Sequence, residues 1–128
     1  MWQGGRARIS HRLNSKEEVK MANSTKEMLD EQVKGIAEGY YEDLVVNGDV
    51  DMNEYFEGQI LDINYVVDSE HRYKAVILLV AWGGPNIYVD TYTGSVDGYW
   101  WGTTSSWRMH SELIKVLDDY FEEYYKCI

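Results

Sequence analysis

Apolar positions divide the chain into stretches of different period. Across residues 21–46, Leu29, Val33, Ile36, Ala37, Tyr40 and Leu44 recur at steps of three and four. That spacing stacks them on one face of a helix. Glu27, Asp30, Glu31, Glu38, Glu42 and Asp43 fall largely off that face. Ser24, followed three residues later by Glu27, predicts the helix start as a capping box. Asn47-Gly48-Asp49 predicts its end, with Gly48 suited to the left-handed backbone region. Gly35 and Gly39 each weaken a helix by about 1 kcal/mol relative to Ala. Their i, i+4 spacing predicts that a neighbouring backbone approaches closely there.

Residues 49–58 read as an acidic connector with a short helical turn around 52–56. From Gln59 onward the period falls to two, as Ile60, Asp62, Asn64, Val66 and Asp68 alternate with Leu61, Ile63, Tyr65 and Val67. Residues 73–82 form a nearly continuous apolar run, the expected centre of a sheet. Turn signals at 68–71, 83–86 and 93–95 separate further strands at 87–92 and 96–101, and 102–106 is expected to be a loop. Helical spacing returns over 107–127, where Leu113, Val116, Leu117, Tyr120, Phe121 and Tyr124 form a stripe and Ser111 is the expected N-cap. The pattern predicts an α+β domain: an N-terminal helix, a four-stranded antiparallel meander and a C-terminal helix. Packing both helices on one sheet face buries both stripes.

Charge changes this picture. The 128-residue chain has a formal net charge of −10. Residues 1–20 carry five basic and two acidic groups, a balance of +3; the rest carries seven basic and twenty acidic, a balance of −13. Residues 1–15 show neither helical nor alternating period. Lys16-Glu17-Glu18-Val19-Lys20-Met21 is what AAA-GAG-GAG-GTG-AAA-ATG encodes, a purine-rich ribosome-binding sequence just before a start codon. The expectation is that residues 1–20 are a translated leader and 21–128 the domain. The rival reading is a flexible basic arm that binds nucleic acid or an acidic partner. No apolar stretch approaches the roughly 20 residues of a membrane helix, and no signal-peptide core is evident. The cytoplasm of a bacterial host is the expected location.

Candidate chemistry is sparse. Asp49-Val50-Asp51-Met52-Asn53 begins like a calcium loop, but Glu54 stands where Gly is needed and Ile60 where a bidentate Glu is needed. His11, His71 and His110 have no partner at ligand spacing, and surface or capping roles are expected for them. The single cysteine, Cys127, rules out an internal disulfide framework and a Cys-based zinc knuckle. Gly83-Gly84-Pro85-Asn86 reads as a hairpin turn, with no helix after it to cradle phosphate. No catalytic constellation stands out, so the expectation is a non-enzymatic protein without metal or cofactor. The most unusual local feature is aromatic: Tyr99, Trp100 and Trp101, flanked by Gly98 and Gly102, with Trp107 nearby. In a strand, Tyr99 and Trp101 share one face and Trp100 takes the other. They either cover the open sheet or anchor a partner.

The stretch Trp82-Gly83-Gly84-Pro85-Asn86-Ile87-Tyr88-Val89-Asp90-Thr91, with Gly98-Tyr99-Trp100-Trp101-Gly102 and Leu117-Asp118-Asp119-Tyr120-Phe121-Glu122-Glu123-Tyr124-Tyr125, resembles small proteins of Firmicutes phages and integrative elements. The resemblance covers roughly the second half of the chain. In size and acidity the chain also resembles anti-CRISPR and anti-restriction proteins, in type and not in motif, so no residue roles carry over. What this implies is an inhibitor of a CRISPR-Cas effector, occupying the basic groove that reads DNA as a DNA mimic. The alternative is an interaction module of a mobile element with another host or phage target. The candidate contacts are Glu42, Asp43, Asp49, Asp51, Glu54 and Glu57, then Asp118, Asp119, Glu122 and Glu123, with Tyr99, Trp100 and Trp101 as anchors. Acidic faces also keep small bacterial proteins soluble, and that reading stands beside the functional one.

Overall fold

The computed structural model describes residues 15–128. Helix α1 spans Ser15–Tyr41 and passes into a π-helical turn, Glu42–Val46. A short helix α2, Met52–Phe56, follows. Five strands come next: β1 Asp62–Val67, β2 Tyr73–Ala81, β3 Asn86–Asp90, β4 Ser95–Trp100 and β5 Thr103–Arg108. Helix α3, Ser111–Lys126, closes the described chain. The sheet is an antiparallel meander with its strands side by side in chain order.

The expected α+β architecture with terminal helices is present, with one strand more than expected. The segment 102–106 is not a loop: Trp100 pairs with Thr103, and the register runs unbroken to Ser95 opposite Arg108. Trp107 accordingly belongs to β5, and α3 begins only at Ser111. The residue at the N-cap is His110, without a side-chain cap bond, in place of Ser111. At the other end, α1 passes through Ser24 without a break, so Ser24 and Glu27 are mid-helix and exposed and form no capping box. Residues 15–20 are helical, and the remainder of the basic segment, residues 1–14, lies outside the described residues.

All helices lie on one face of the sheet. Leu29 is buried, and Val33, Ala37, Tyr40 and Leu44 share one core with Val76, Leu78, Ile87, Val89 and Val96 from the strands and Leu113, Leu117 and Phe121 from α3. Removing such side chains from water contributes roughly 1.5–3 kcal/mol each before entropy is counted. Helix α1 packs directly on the sheet at Gly98. A Cβ there would meet Leu29 Cδ1 at 2.8 Å and Val33 Cγ1 at 2.9 Å. Gly35 and Gly39, where sequence spacing predicts a close approach, face open space.

The pleat sends alternate residues to the other face. With Val96 and Gly98 turned to the helices, Asp97 and Tyr99 point away, beside Tyr88 and Asn86. By the same parity Asp62, Asn64, Ile77, Leu79, Asp90 and Ser106 share this outer face. Among the described residues, no helix packs on it.

Candidate functional site

The acidic residues singled out above separate into two groups of different character. On α3, Asp119 pairs with Lys115 Nζ at 2.8 Å. Glu122 and Glu123 lie 3.8 and 3.4 Å from Lys126 Nζ. Asp118 accepts a hydrogen bond from the Tyr73 hydroxyl at 2.7 Å. Burial, and then the Asp118 carboxylate, push the Tyr73 phenol well above its ordinary range. Asp118 thus ties α3 to β2, and Lys115 and Lys126 offset part of the charge of the other three.

The connector group is different. Lys34 is the last cation before Arg72, and ten carboxylates lie between them. Glu42, Asp49, Asp51, Glu54 and Glu57 are all exposed. None of them forms an ion pair with a described residue. Local structure holds them in place. The π-helical turn ends with Asn47 N–H donating to Glu42 O at 2.9 Å. Gly48 then takes the left-handed backbone with φ 69°, as the sequence predicts, and turns the chain. The Asp51 side chain caps α2 by accepting from the Asn53 and Glu54 amides at 3.0 and 3.3 Å. Asp43 is the exception in the group. It is half-buried and accepts from the Tyr55 hydroxyl at 2.8 Å, tying the π turn to α2. Burial first, and this bond second, raise the Tyr55 phenol. Asp43 therefore supports the connector.

The aromatic anchors also need correction. Trp101 does not share a strand face with Tyr99. It sits in the two-residue turn between β4 and β5, where Trp101 and Gly102 have φ of 53° and 75°. Two positive φ values make this a type I′ turn, which favours Asn-Gly. A Trp at its first position costs about 1–2 kcal/mol in backbone strain, and its indole is 82% exposed. Trp100 falls on the helix side by the alternation of β4 and is half-buried. Tyr99, 46% exposed, stays on the outer face. The antiparallel order brings the β2–β3 and β4–β5 turns and the start of β1 to one end of the sheet. Trp82, 67% exposed, and Leu61, 58% exposed, therefore join Trp101 and Tyr99 at that end. Sequence reasoning missed Trp82 and Leu61 because they flank strands of ordinary pattern; only the pairing order unites them with Trp101.

Glu38 of α1 accepts from Trp107 Nε1 at 3.1 Å and lies 3.2 Å from His110 Nε2. The His110 bond, then the Trp107 bond, hold its carboxyl below the usual range. Tyr41 stacks on the His110 ring, with centroids 3.8 Å apart. This cluster joins α1, β5 and α3. Lys34 Nζ lies over the Trp107 ring, 5.1 Å from its centroid. Among the described residues, no group of three or more His, Cys, Asp or Glu side chains is placed to hold a metal ion. No described helix is long and apolar enough to cross a membrane.

Comparison with known proteins returned no match: no family model fits the chain, and no curated protein or solved structure is significantly similar to it.

Proposed function

We propose that this chain is a non-enzymatic binding protein that occupies a basic, nucleic-acid-binding surface of another protein, with a CRISPR-Cas effector of a bacterial host as its target. The observation that carries the reading is the connector: five exposed carboxylates without a cationic partner among the described residues. Unpaired surface carboxylates set up a negative potential that steers a basic groove toward them. A Debye length of about 8 Å at physiological salt confines that pull to close range. The α3 acids, Asp118, Asp119, Glu122 and Glu123, are set aside in this reading, because Lys115 and Lys126 lie beside three of them and Asp118 is bonded to Tyr73.

The test is inhibition of DNA cleavage by a panel of purified CRISPR effectors, repeated across a salt series. Inhibition should weaken steeply as salt rises. It should be abolished by Asp49→Lys with Glu54→Lys and Glu57→Lys. Asp51 is best changed to Asn, which keeps the α2 cap. Inhibition indifferent to salt and to these changes would refute the reading.

One observation favours a second target class. Trp101 pays strain to expose its indole and gives the fold nothing visible in return. A partner gripped mainly by Trp101, Trp82 and Tyr99 would be a different host or phage protein. Such binding would tolerate salt and fail on Trp101→Ala.

A further inference from the structure

The outer face of the sheet carries a distinct constellation. Tyr88 of β3 and Tyr99 of β4 meet edge to face, with ring centroids 6.0 Å apart and planes at 73°. Asp97 lies directly across from Tyr88 on the neighbouring strand. Its Oδ1 accepts from the Ser95 hydroxyl at 2.9 Å and the Ser106 hydroxyl at 2.6 Å. These bonds fix the carboxylate, and Oδ2 receives no bond from a described residue. Asp62 and Asp90 lie on the same face by register, Asp90 Oδ1 accepting from the Tyr92 and Thr93 amides, and Arg108 at the β5 edge donates to Thr93 O at 3.3 Å. Burial first, and then the Asp97 carboxylate, raise the Tyr99 phenol.

We infer that this spot binds an arginine side chain from a basic segment of the partner protein. The guanidinium is flat and weakly hydrated, so it stacks on a tyrosine face while donating in its plane to a carboxylate. Tyr88, Tyr99 and Asp97 supply those two contacts side by side. A lysine ammonium matches them less well, because it cannot stack or donate as a fork. The inference rests on the basic-partner reading above but uses different residues, on the sheet and not on the connector.

The probe is a seven-residue peptide, Gly-Arg-Gly-Arg-Gly-Arg-Gly, titrated into the full chain while amide shifts are followed by NMR. Matched peptides carry lysine or citrulline in place of arginine. The expected result is saturable shifts at Tyr88, Asp97 and Tyr99, about tenfold weaker for lysine and absent for citrulline. Asp97→Asn keeps an Oδ1 acceptor for both serines and should remove the shifts without changing the melting temperature. Shifts confined to the connector, equal binding of the lysine peptide, or an unaffected Asp97→Asn variant would each overturn the inference. So would a concentration-dependent dimer lost in Tyr99→Ser, since a second copy would then cover the face. If connector variants abolish effector inhibition while Asp97→Asn does not, this inference falls and the proposed function stands. If the arginine peptide binds the sheet but no effector is inhibited, this inference stands and the proposed function falls.

Discussion

Gly98 offers the sharpest test of how α1 sits on the sheet. Its φ lies outside the left-handed region, so an alanine is allowed by the backbone and would gain roughly 0.5–1 kcal/mol over glycine in a strand. Against that, the new methyl would lie 2.8 Å from Leu29 Cδ1, 2.9 Å from Val33 Cγ1 and 3.1 Å from Leu29 Cγ. Leu29 and Val33 are fully buried, so their side chains must repack against the core to admit the methyl. Overpacking of this kind costs about 1–3 kcal/mol, so the net effect of Gly98→Ala is a loss of about 0.5–2 kcal/mol, taking those ranges end by end. For a domain of this size that corresponds to a drop of roughly 2–10 °C in melting temperature. Val33→Ala alone leaves a cavity and costs about 2 kcal/mol. In the double variant the added methyl enters the vacated space, so the combined loss should fall short of the sum by about 1 kcal/mol. Thermal and urea unfolding followed by circular dichroism measure all four proteins. Strict additivity, or a stabilised Gly98→Ala, would refute the placement of α1 over β4.

Three further outcomes follow from local geometry. Asp51→Ala removes the α2 cap and should lower stability by about 1 kcal/mol, whereas Asp51→Asn should leave it nearly unchanged, as read by urea unfolding. Trp101→Asn relieves a left-handed tryptophan in a turn that favours Asn-Gly, so it should raise stability by about 1 kcal/mol while weakening any aromatic-anchored binding; a destabilised variant would contradict the turn assignment. Burial pushes the Tyr40 phenol up to about 12, so the folded state favours the neutral phenol. That contribution is fully present below pH of about 10 and is lost as pH rises toward 12. Alkaline titration followed at 295 nm should show several late tyrosines, Tyr55 and Tyr73 among them, and one fewer in Tyr40→Phe.

How legible the fold was in the sequence depends on how each element is held. The face of α1 was plain because Leu29, Val33, Ala37 and Tyr40 are buried by apolar contact, which periodicity reports. Strand β5 was not, because Thr-Thr-Ser-Ser-Trp-Arg has no apolar alternation. Its helix-facing side is held by polar contacts, Ser105 to Asp30 and Trp107 to Glu38. An edge strand paired on one side needs little more. A signal was present in Trp101-Gly102 followed by two β-branched threonines, the form of a two-residue hairpin. The Lys115–Asp119 pairing was also readable as an i, i+4 step. The Tyr73–Asp118 bond was not, since the two residues lie 45 positions apart. Gly98 and the Tyr88–Tyr99–Asp97 spot depend on which strands are neighbours and which face the helices cover. Spacing along the chain carries neither fact.

The central claim is that the connector carboxylates, and not the α3 carboxylates, make the contact with a basic surface. One competition assay tests it most directly: displacement of duplex DNA from a purified CRISPR effector by two charge-reversed variants of equal charge change. One carries Asp49→Lys, Glu54→Lys and Glu57→Lys; the other carries Asp119→Lys, Glu122→Lys and Glu123→Lys. The account predicts that the first fails to displace DNA and the second still does. Equal loss in both, or loss only in the second, would contradict it.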